Sequence, residues 1–252
     1  MSRILLLLFA GLKFGKFGVT ILTMIVSLGL YAMLYGWRYA AGFIGLIFVH
    51  EMGHYLAARQ RGLPVGAPTF IPFVGAWIQL KQMPHDAETE AFVGLGGPLL
   101  GTAGAIACWW VAREQQLPWL LAVSYSGFFL NLFNMIPVSP MDGGRIVAVL
   151  SPRIWLLGVP VLALMMWYSF NMILVLIAIL AAPQIMAALR YRKDSPEAST
   201  YYAVSARVRW EYGFYYVALL AFLAMMTHNV DQDLRGARSG GTGTGAAQTE
   251  SL

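Results

Sequence analysis

The chain has 252 residues and a net charge of +5, from 17 basic and 12 acidic side chains. Apolar residues make up 58% of it and charged residues only 12%, whereas a soluble domain carries about 25% charged residues. This composition excludes an ordinary soluble globule and predicts a chain that contacts a lipid bilayer over most of its length. The basic residues lie between apolar runs and form no cluster interleaved with aromatics, which argues against a nucleic-acid partner.

Uncharged runs of about 20 residues, long enough to cross a hydrocarbon core of ~30 Å, predict the transmembrane helices. The predicted fold class is an all-α polytopic membrane protein with six to seven transmembrane helices. In chain order, the predicted spans are residues 17–37, 39–58, 91–112 and 115–141, one or two spans in 154–189, and residues 212–230.

A segment near residues 64–82 interrupts this helical pattern. It is apolar but rich in proline and glycine, and proline at this density is incompatible with a continuous helix. Its bulky apolar and aromatic residues favour extended structure. Irregular backbone is tolerated at membrane depth only where protein or a water-filled cavity surrounds it. The sequence therefore predicts a short re-entrant or β-hairpin segment.

Residues 154–189 form an uncharged run of 36 residues. As one helix this run would be about 54 Å long at 1.5 Å per residue, well beyond the hydrocarbon core. Two short helices that turn near Ser169 fit better. With the N-terminus in the cytoplasm, a hairpin also keeps the basic residues between 190 and 209 on the cytoplasmic side, as the positive-inside rule requires. We therefore favour seven spans over six.

The end of the chain differs in composition from the rest. Residues 231–252 are rich in Gly, Ser and Thr and predict a flexible tail. Residues 1–230 are then predicted to form one membrane-embedded domain.

Residues 50–54 read HEMGH and lie inside the second predicted span. Positions i and i+4 of a helix share a face, so His50 and His54 can present two imidazole nitrogens to one metal ion. Glu51 projects from an adjacent face and can take a proton from a water that the metal activates. A structural histidine pair is the alternative, but ionisable residues in an apolar span are costly to bury and mark functional sites. We predict one zinc ion per chain, with Glu51 as the catalytic residue.

A catalytic zinc needs a third protein ligand, with the fourth position open. Asp142 follows a long apolar run and lies between Pro140 and Gly143, which break a helix and can turn a carboxylate inward. An Asp-Gly turn at a membrane surface explains the same pattern equally well. His85, in a polar loop, and His228, at the end of the last apolar run, are weaker candidates for the third ligand.

Two motifs together resemble the site-2 protease family of intramembrane zinc metalloproteases. HEMGH lies in an apolar span, and an N-x-x-P-x-x-x-x-D-G pattern follows it at Asn134, Pro137, Asp142 and Gly143. The resemblance covers residues 42–147, under half of the chain. It implies that His50, His54 and Asp142 bind zinc and that Glu51 is the catalytic acid/base. We further expect Asn134 to hold substrate backbone through its side-chain amide, and an interhelical hydrogen bond explains an asparagine inside the membrane equally well.

The resemblance also implies a function and exposes one difference. The expected activity is hydrolysis of peptide bonds within transmembrane segments of protein substrates, as in regulated intramembrane proteolysis. The family's Gly-Pro-x-x-Asn pattern is present only in part, because Gly97-Pro98 is followed by Gly101. The polar role of the missing asparagine is then expected to be absent or to move to Asn131 or Asn134. The sequence leaves no room for an appended regulatory domain.

Two other classes of protein remain open. A zinc-binding membrane chaperone or scaffold would use the same residues without turnover, but such a site does not need Glu51. A metal transporter is expected to have further ligands along a path and, in many cases, repeated halves, and the sequence shows neither. The charge pattern predicts a multi-pass cell-membrane protein with its N-terminus and the active-site side in the cytoplasm. It leaves the oligomeric state open.

Overall fold

A computed structural model describes residues 16–73, 75–77, 82–192 and 194–246 of the chain. The described residues are mostly helical, with one small sheet. In chain order the elements are α1 (Lys16–Tyr35), α2 (Trp37–Gln60), β1 (Thr69–Ile71), β2 (Gly75–Trp77), α3 (Ala87–Glu114), α4 (Pro118–Asn134), α5 (Asp142–Val147), a 3₁₀ helix (Pro152–Leu157), α6 (Gly158–Tyr168), α7 (Met172–Arg190), α8 (Pro196–Ser199) and α9 (Ala206–Ala246).

Helices α2, α3 and α4 pack together and form the centre of the fold. Gly36, with φ of +84°, joins α1 to α2 in a backbone conformation that favours glycine. The Asp86 side chain accepts from the Thr89 N–H at 2.7 Å and caps the start of α3. Where α2 crosses α3, a Cβ on Gly53 would lie 2.1 Å from the Gly96 carbonyl oxygen. Glycines at both positions therefore let the two backbones touch, as small residues do between membrane helices.

Strands β1 and β2 form an antiparallel hairpin in the segment where the sequence predicts a re-entrant or β-hairpin structure. The Thr20 hydroxyl of α1 donates to the Pro68 carbonyl at 2.5 Å, and the Phe70 N–H donates to Thr23 at 3.1 Å. Phe70 also packs with Ile44 and Ile47 of α2. The hairpin is thus held between α1 and α2. Residues 78–81 of the predicted segment lie outside the described residues.

Four of the described helices are long and apolar enough to cross a membrane. The prediction of six to seven spans is not confirmed. The sequence criterion was an absence of charge, but α2 carries the polar HEMGH residues, α4 has only 17 residues and α6 only 11. The four helices cover residues Gly18–Tyr35, Ala87–Glu114, Met172–Arg190 and Ala206–Gly236.

The long uncharged run of residues 154–189 breaks at the predicted place. Helix α6 ends at Tyr168, and α7 begins after Asn171, whose side chain accepts from the Leu174 N–H at 3.0 Å. Leu162 of α6 and Leu174 of α7 share a buried cluster. The run is therefore divided between two packed helices, because Asn171 caps the second one.

The two ends of the chain leave some predictions open. Helix α9 continues from Ala206 to Ala246, so it passes the predicted domain boundary at residue 230. The division into a domain and a flexible tail stays a prediction, and residues 247–252 lie outside the described residues. The predicted cytoplasmic N-terminus also depends on Arg3 and Lys13, in residues 1–15, which lie outside them as well.

Candidate metal centre

The structure brings His50, His54 and Asp142 together. His50 Nε2 lies 3.2 Å from Asp142 Oδ2, and His54 Nε2 lies 3.2 Å from Asp142 Oδ1. The two Nε2 atoms are 3.2 Å apart. All three residues are buried, with at most 7% of each exposed. Among the described residues, they form a group of side chains that could hold a metal ion.

Hydrogen bonds on the far side of each ring orient the two imidazoles. His50 Nδ1 lies 2.9 Å from Asn131 Oδ1, and His54 Nδ1 lies 2.8 Å from the Val93 carbonyl oxygen. Both partners are acceptors, so Nδ1 of each ring is the protonated nitrogen and donates. Each Nε2 therefore directs a lone pair toward the other ring and Asp142, as a metal-binding histidine requires.

The dimensions of this group fit a tetrahedral zinc site. Ligand atoms that bind zinc at about 2.0–2.1 Å and tetrahedral angles lie about 3.3 Å from one another. The three separations of 3.2 Å are close to this value. Two lone pairs and a carboxylate at this distance repel one another unless a proton or a metal cation lies between them. The donor set therefore fits a zinc ion and leaves the fourth position for a water or substrate.

Asp142 is held by close backbone packing around the start of α5. A Cβ on Gly143 would lie 2.2 Å from the Met135 carbonyl oxygen, and one on Gly144 would lie 2.6 Å from the Val138 carbonyl carbon. The two glycines thus let α5 press against the loop that precedes it. The Asp142 carboxylate reaches both histidines.

Helix α9 and the 3₁₀ helix fix this loop from the other side. Tyr216 of α9 donates to the Met135 carbonyl at 2.5 Å, and the Trp155 indole donates to the Gly144 carbonyl at 2.7 Å. Arg209 of α9 donates to the Leu150 carbonyl. These bonds satisfy carbonyls on both sides of Asp142, so distant parts of the chain determine where its carboxylate lies.

Glycines on one face of α3 leave space for the side chains of the metal centre. A Cβ on Gly97 would lie 2.2 Å from His54 Nε2, and one on Gly101 would lie 2.5 Å from Asn131 Oδ1. A Cβ on Gly94 would lie 3.4 Å from the Asp142 carbonyl oxygen. Positions 94, 97 and 101 share one face of the helix. This face of α3 therefore forms a wall of backbone against which the metal-binding side chains pack.

Glu51 lies beside this group on α2, buried with 7% of its surface exposed. It interacts electrostatically with His50, His54, Asp142 and Arg145. Its carboxylate is not one of the three groups that converge on the metal position. This arrangement leaves Glu51 close to the centre without using it as a ligand.

The other predicted candidates lie elsewhere. Asn134 is half-buried and donates to the Leu130 carbonyl of its own helix at 3.1 Å. His85 is exposed, and His228 is exposed and lies 2.9 Å from Gln232. Asn131 was considered only as a possible replacement for an asparagine at position 101, yet it contacts His50 directly. The signal that the sequence offers is an asparagine inside an apolar run, and it does not identify His50 as the partner.

This geometry describes a candidate metal centre buried among apolar helices, and comparisons with known proteins show what the chain is similar to. The model of peptidase family M50 matches residues 38–125, which include HEMGH and end before Asp142. The predicted resemblance to the site-2 protease family is thus confirmed. So is the prediction of a zinc site, because relatives are named zinc metalloproteases and the three residues are positioned to bind a metal.

Three relatives show the extent of the similarity. The zinc metalloprotease MJ0392 of Methanocaldococcus jannaschii is 30% identical over 64% of this chain and 49% of its own length. The putative zinc metalloprotease Rip3 of Mycobacterium tuberculosis is 28% identical over 48% of this chain and 34% of its own. The probable zinc metalloprotease EGY1, chloroplastic, of Arabidopsis thaliana is 25% identical over 43% and 28%. The similarity spans about half of these relatives' length or less.

Proposed function

We propose that this chain is an intramembrane zinc metalloprotease that hydrolyses peptide bonds of transmembrane segments, as in regulated intramembrane proteolysis. The observation that carries the proposal is the convergence of His50, His54 and Asp142 at 3.2 Å, with Glu51 beside them, in a buried position among apolar helices. Relatives that are named zinc metalloproteases support the same chemistry.

Each residue of the centre has a definite part in this reaction. His50, His54 and Asp142 would hold the zinc ion. When bound, zinc supplies a Lewis acid for the scissile carbonyl and lowers the pKa of water to about 7. Glu51 takes the proton of the attacking water as the new C–O bond forms and the carbonyl double bond opens. It then transfers this proton to the leaving amine nitrogen, so the peptide C–N bond breaks as the carbonyl re-forms. The protein products are a carboxylate and an amine.

A substrate helix hides its peptide bonds, so it must unwind before it can reach Glu51. The β1–β2 hairpin offers a place for the unwound strand to bind by strand addition. Phe70 N–H on β1 points toward α1, where it donates to Thr23. Its partner across the hairpin is Ala76, and the alternation of antiparallel pairs directs the Ala76 N–H and carbonyl to the opposite edge. The β2 edge is therefore the edge at which we place the substrate strand, and β2 also contacts α2, the helix that carries His50 and Glu51.

Replacing Ala76 with proline tests this edge, since proline has no N–H and blocks strand pairing. We expect Ala76→Pro to lower kcat/KM for a transmembrane-helix substrate about tenfold, because one backbone hydrogen bond and its neighbours are lost, while the zinc content stays that of the wild type. Ile71→Ala is the matched control on β1, since it keeps every backbone N–H. Equal kcat/KM for Ala76→Pro and Ile71→Ala would contradict substrate binding at β2.

Removal and return of the metal tests the proposal as a whole. We expect the purified chain in lipid vesicles to contain about one zinc ion and to cleave a peptide that carries a transmembrane helix. Treatment with a strong chelator should reduce the rate at least about 100-fold, because the site then lacks both its Lewis acid and its activated water. Added zinc should restore the rate. A chain that binds zinc stoichiometrically but cleaves no transmembrane substrate would support a chaperone or scaffold instead.

The orientation of the chain in the membrane and the role of Asn134 in substrate binding belong to the same proposal. The active-site side and the N-terminus lie in the cytoplasm, as the basic residues after the metal-bearing helices favour. Asn134 holds substrate backbone through its amide when substrate binds. The metal-transporter alternative finds little support, because the described residues hold a single group of three metal-binding side chains rather than a path of several.

A further inference from the structure

Asn131 lies between the metal centre and the wall of α3, and its contacts are unusually well defined. Only 1% of it is exposed. Its Nδ2 donates to the Gly127 carbonyl, one turn earlier on α4, at 2.7 Å. This bond fixes which end of the amide is the donor, so Oδ1 faces His50 Nδ1, 2.9 Å away. Asn131 therefore presents an acceptor to His50 and has no freedom to turn it away.

Gly101 on α3 gives the amide its space. A Cβ at this position would lie 2.5 Å from Asn131 Oδ1 and 2.9 Å from Nδ2. Real Cβ atoms do not approach other heavy atoms so closely, so any side chain at position 101 would displace the amide from His50. Gly101 on α3 thus leaves the space in which the Asn131 amide of α4 contacts His50.

We propose that Asn131 is a positioning residue for the metal centre. It acts through His50, whose tautomer and ring orientation it fixes, and Gly101 makes this contact possible. The inference rests on the proposed zinc site but not on proteolysis, because metal binding can be measured without turnover.

The physical reason lies in the two nitrogens of the His50 ring. If the proton moved from Nδ1 to Nε2, it would point at the metal position and block the lone pair that binds zinc. An acceptor at Nδ1 makes this tautomer unfavourable and raises the basicity of the ligand nitrogen. His54 Nδ1 has the Val93 backbone carbonyl as its acceptor, and no substitution of the Val93 side chain removes this carbonyl. Of the two Nδ1 acceptors, Asn131 is therefore the one that a substitution can remove.

Zinc affinity of the full-length chain in detergent, measured by competition with a chelator, tests this role. We expect Asn131→Leu, which is similar in size but has no acceptor, to weaken zinc binding about 10–100-fold, the usual cost of losing the partner of a metal-binding histidine. Asn131→Asp keeps the acceptor and should remain within a few-fold of the wild type. Replacing zinc with cobalt gives a second readout, since the absorption of the cobalt site should change in Asn131→Leu and not in Asn131→Asp.

Ser124→Ala is the matched control. Ser124 is fully buried on α4, two turns before Asn131, and donates to the Ala105 carbonyl of α3 at 3.1 Å. The substitution removes a buried bond between the same two helices without touching His50, so zinc affinity should not change. An equal loss of affinity in Ser124→Ala and Asn131→Leu would overturn the proposal in favour of general helix packing.

Gly101→Ala provides an independent test that leaves Asn131 in place. We expect it to weaken zinc binding about as much as Asn131→Leu does, because the new Cβ displaces the amide. In an Asn131→Ala background, where no amide is left to displace, Gly101→Ala should add little further loss. Additive losses, or wild-type zinc affinity in Asn131→Leu, would overturn the inference. A wild-type chain that binds zinc and cleaves nothing would overturn the proposed protease and leave this role of Asn131 intact.

Discussion

Glu51→Gln is expected to abolish peptide-bond cleavage while the chain keeps its zinc. Glutamine has nearly the same shape as glutamate but cannot accept and return a proton at the reacting atoms. General acid–base catalysis contributes about 10²–10⁴-fold to a rate, so we expect the initial rate of cleavage to fall at least 100-fold. Because the Glu51 carboxylate is not among the three converging ligands, metal analysis should still find about one zinc per chain.

A second glutamate near α2 supplies the control for this substitution. Glu88 forms an exposed ion pair with Arg61, at 3.5 Å, away from the metal position. Exposed pairs of this kind contribute little to stability, so Glu88→Gln should keep both zinc and activity. Cleavage by Glu51→Gln at the rate of Glu88→Gln would exclude Glu51 as the proton carrier and would favour a zinc-binding scaffold.

The sequence was sufficient to predict that His50 and His54 lie on one face of a helix with Glu51 beside them, because this spacing is local. Any helix places positions 50 and 54 on one face, whatever surrounds it. The hairpin near residues 64–82 was equally predictable, since its prolines and glycines exclude a helix by local geometry alone. The break near Ser169 followed from length, because a 36-residue helix exceeds the thickness of the bilayer.

The position of Asp142 was harder to predict from the sequence. Spacing left a ligand and a surface turn equally possible, and the resemblance to a known family decided between them. What places the carboxylate is packing from far along the chain, where Tyr216 and Trp155 bind the carbonyls of Met135 and Gly144. Such contacts leave no local pattern in a single sequence.

Asn131 shows the same limit more sharply. Its helix was correctly expected, but a buried asparagine in an apolar helix is equally well explained by an ordinary bond between helices. Its contact with His50 depends on the distance between α4 and α2, and on the absence of a side chain at Gly101. The prediction of six to seven spans is not confirmed, since an uncharged run reveals neither the length nor the burial of the helix it forms.

Asp142→Ala is expected to lose zinc rather than to lose only activity. In the proposed site the carboxylate supplies one of three protein ligands and also the only negative charge among them. We therefore expect zinc affinity to fall at least about 100-fold, more than the loss of an outer partner such as Asn131. Competition with a chelator measures this directly. Asp233→Asn is the control, because Asp233 lies far along α9 and contacts the exposed Arg113. The zinc affinity of this variant should equal that of the wild type.

The variant Asp142→Cys distinguishes the two explanations of Asp142, a zinc ligand and a residue of an Asp-Gly turn. A thiolate binds zinc at about 2.3 Å, close to the length of a bond to carboxylate oxygen, so Asp142→Cys should hold more zinc than Asp142→Ala. If Asp142 served only an Asp-Gly turn, the two variants would bind zinc equally well, and as well as the wild type. The carboxylate places one oxygen 3.2 Å from each histidine, so the aspartate of this turn has its carboxylate directed to the proposed metal position. The close packing of Gly143 and Gly144 then explains why the turn is there at all: it brings that carboxylate to the histidines.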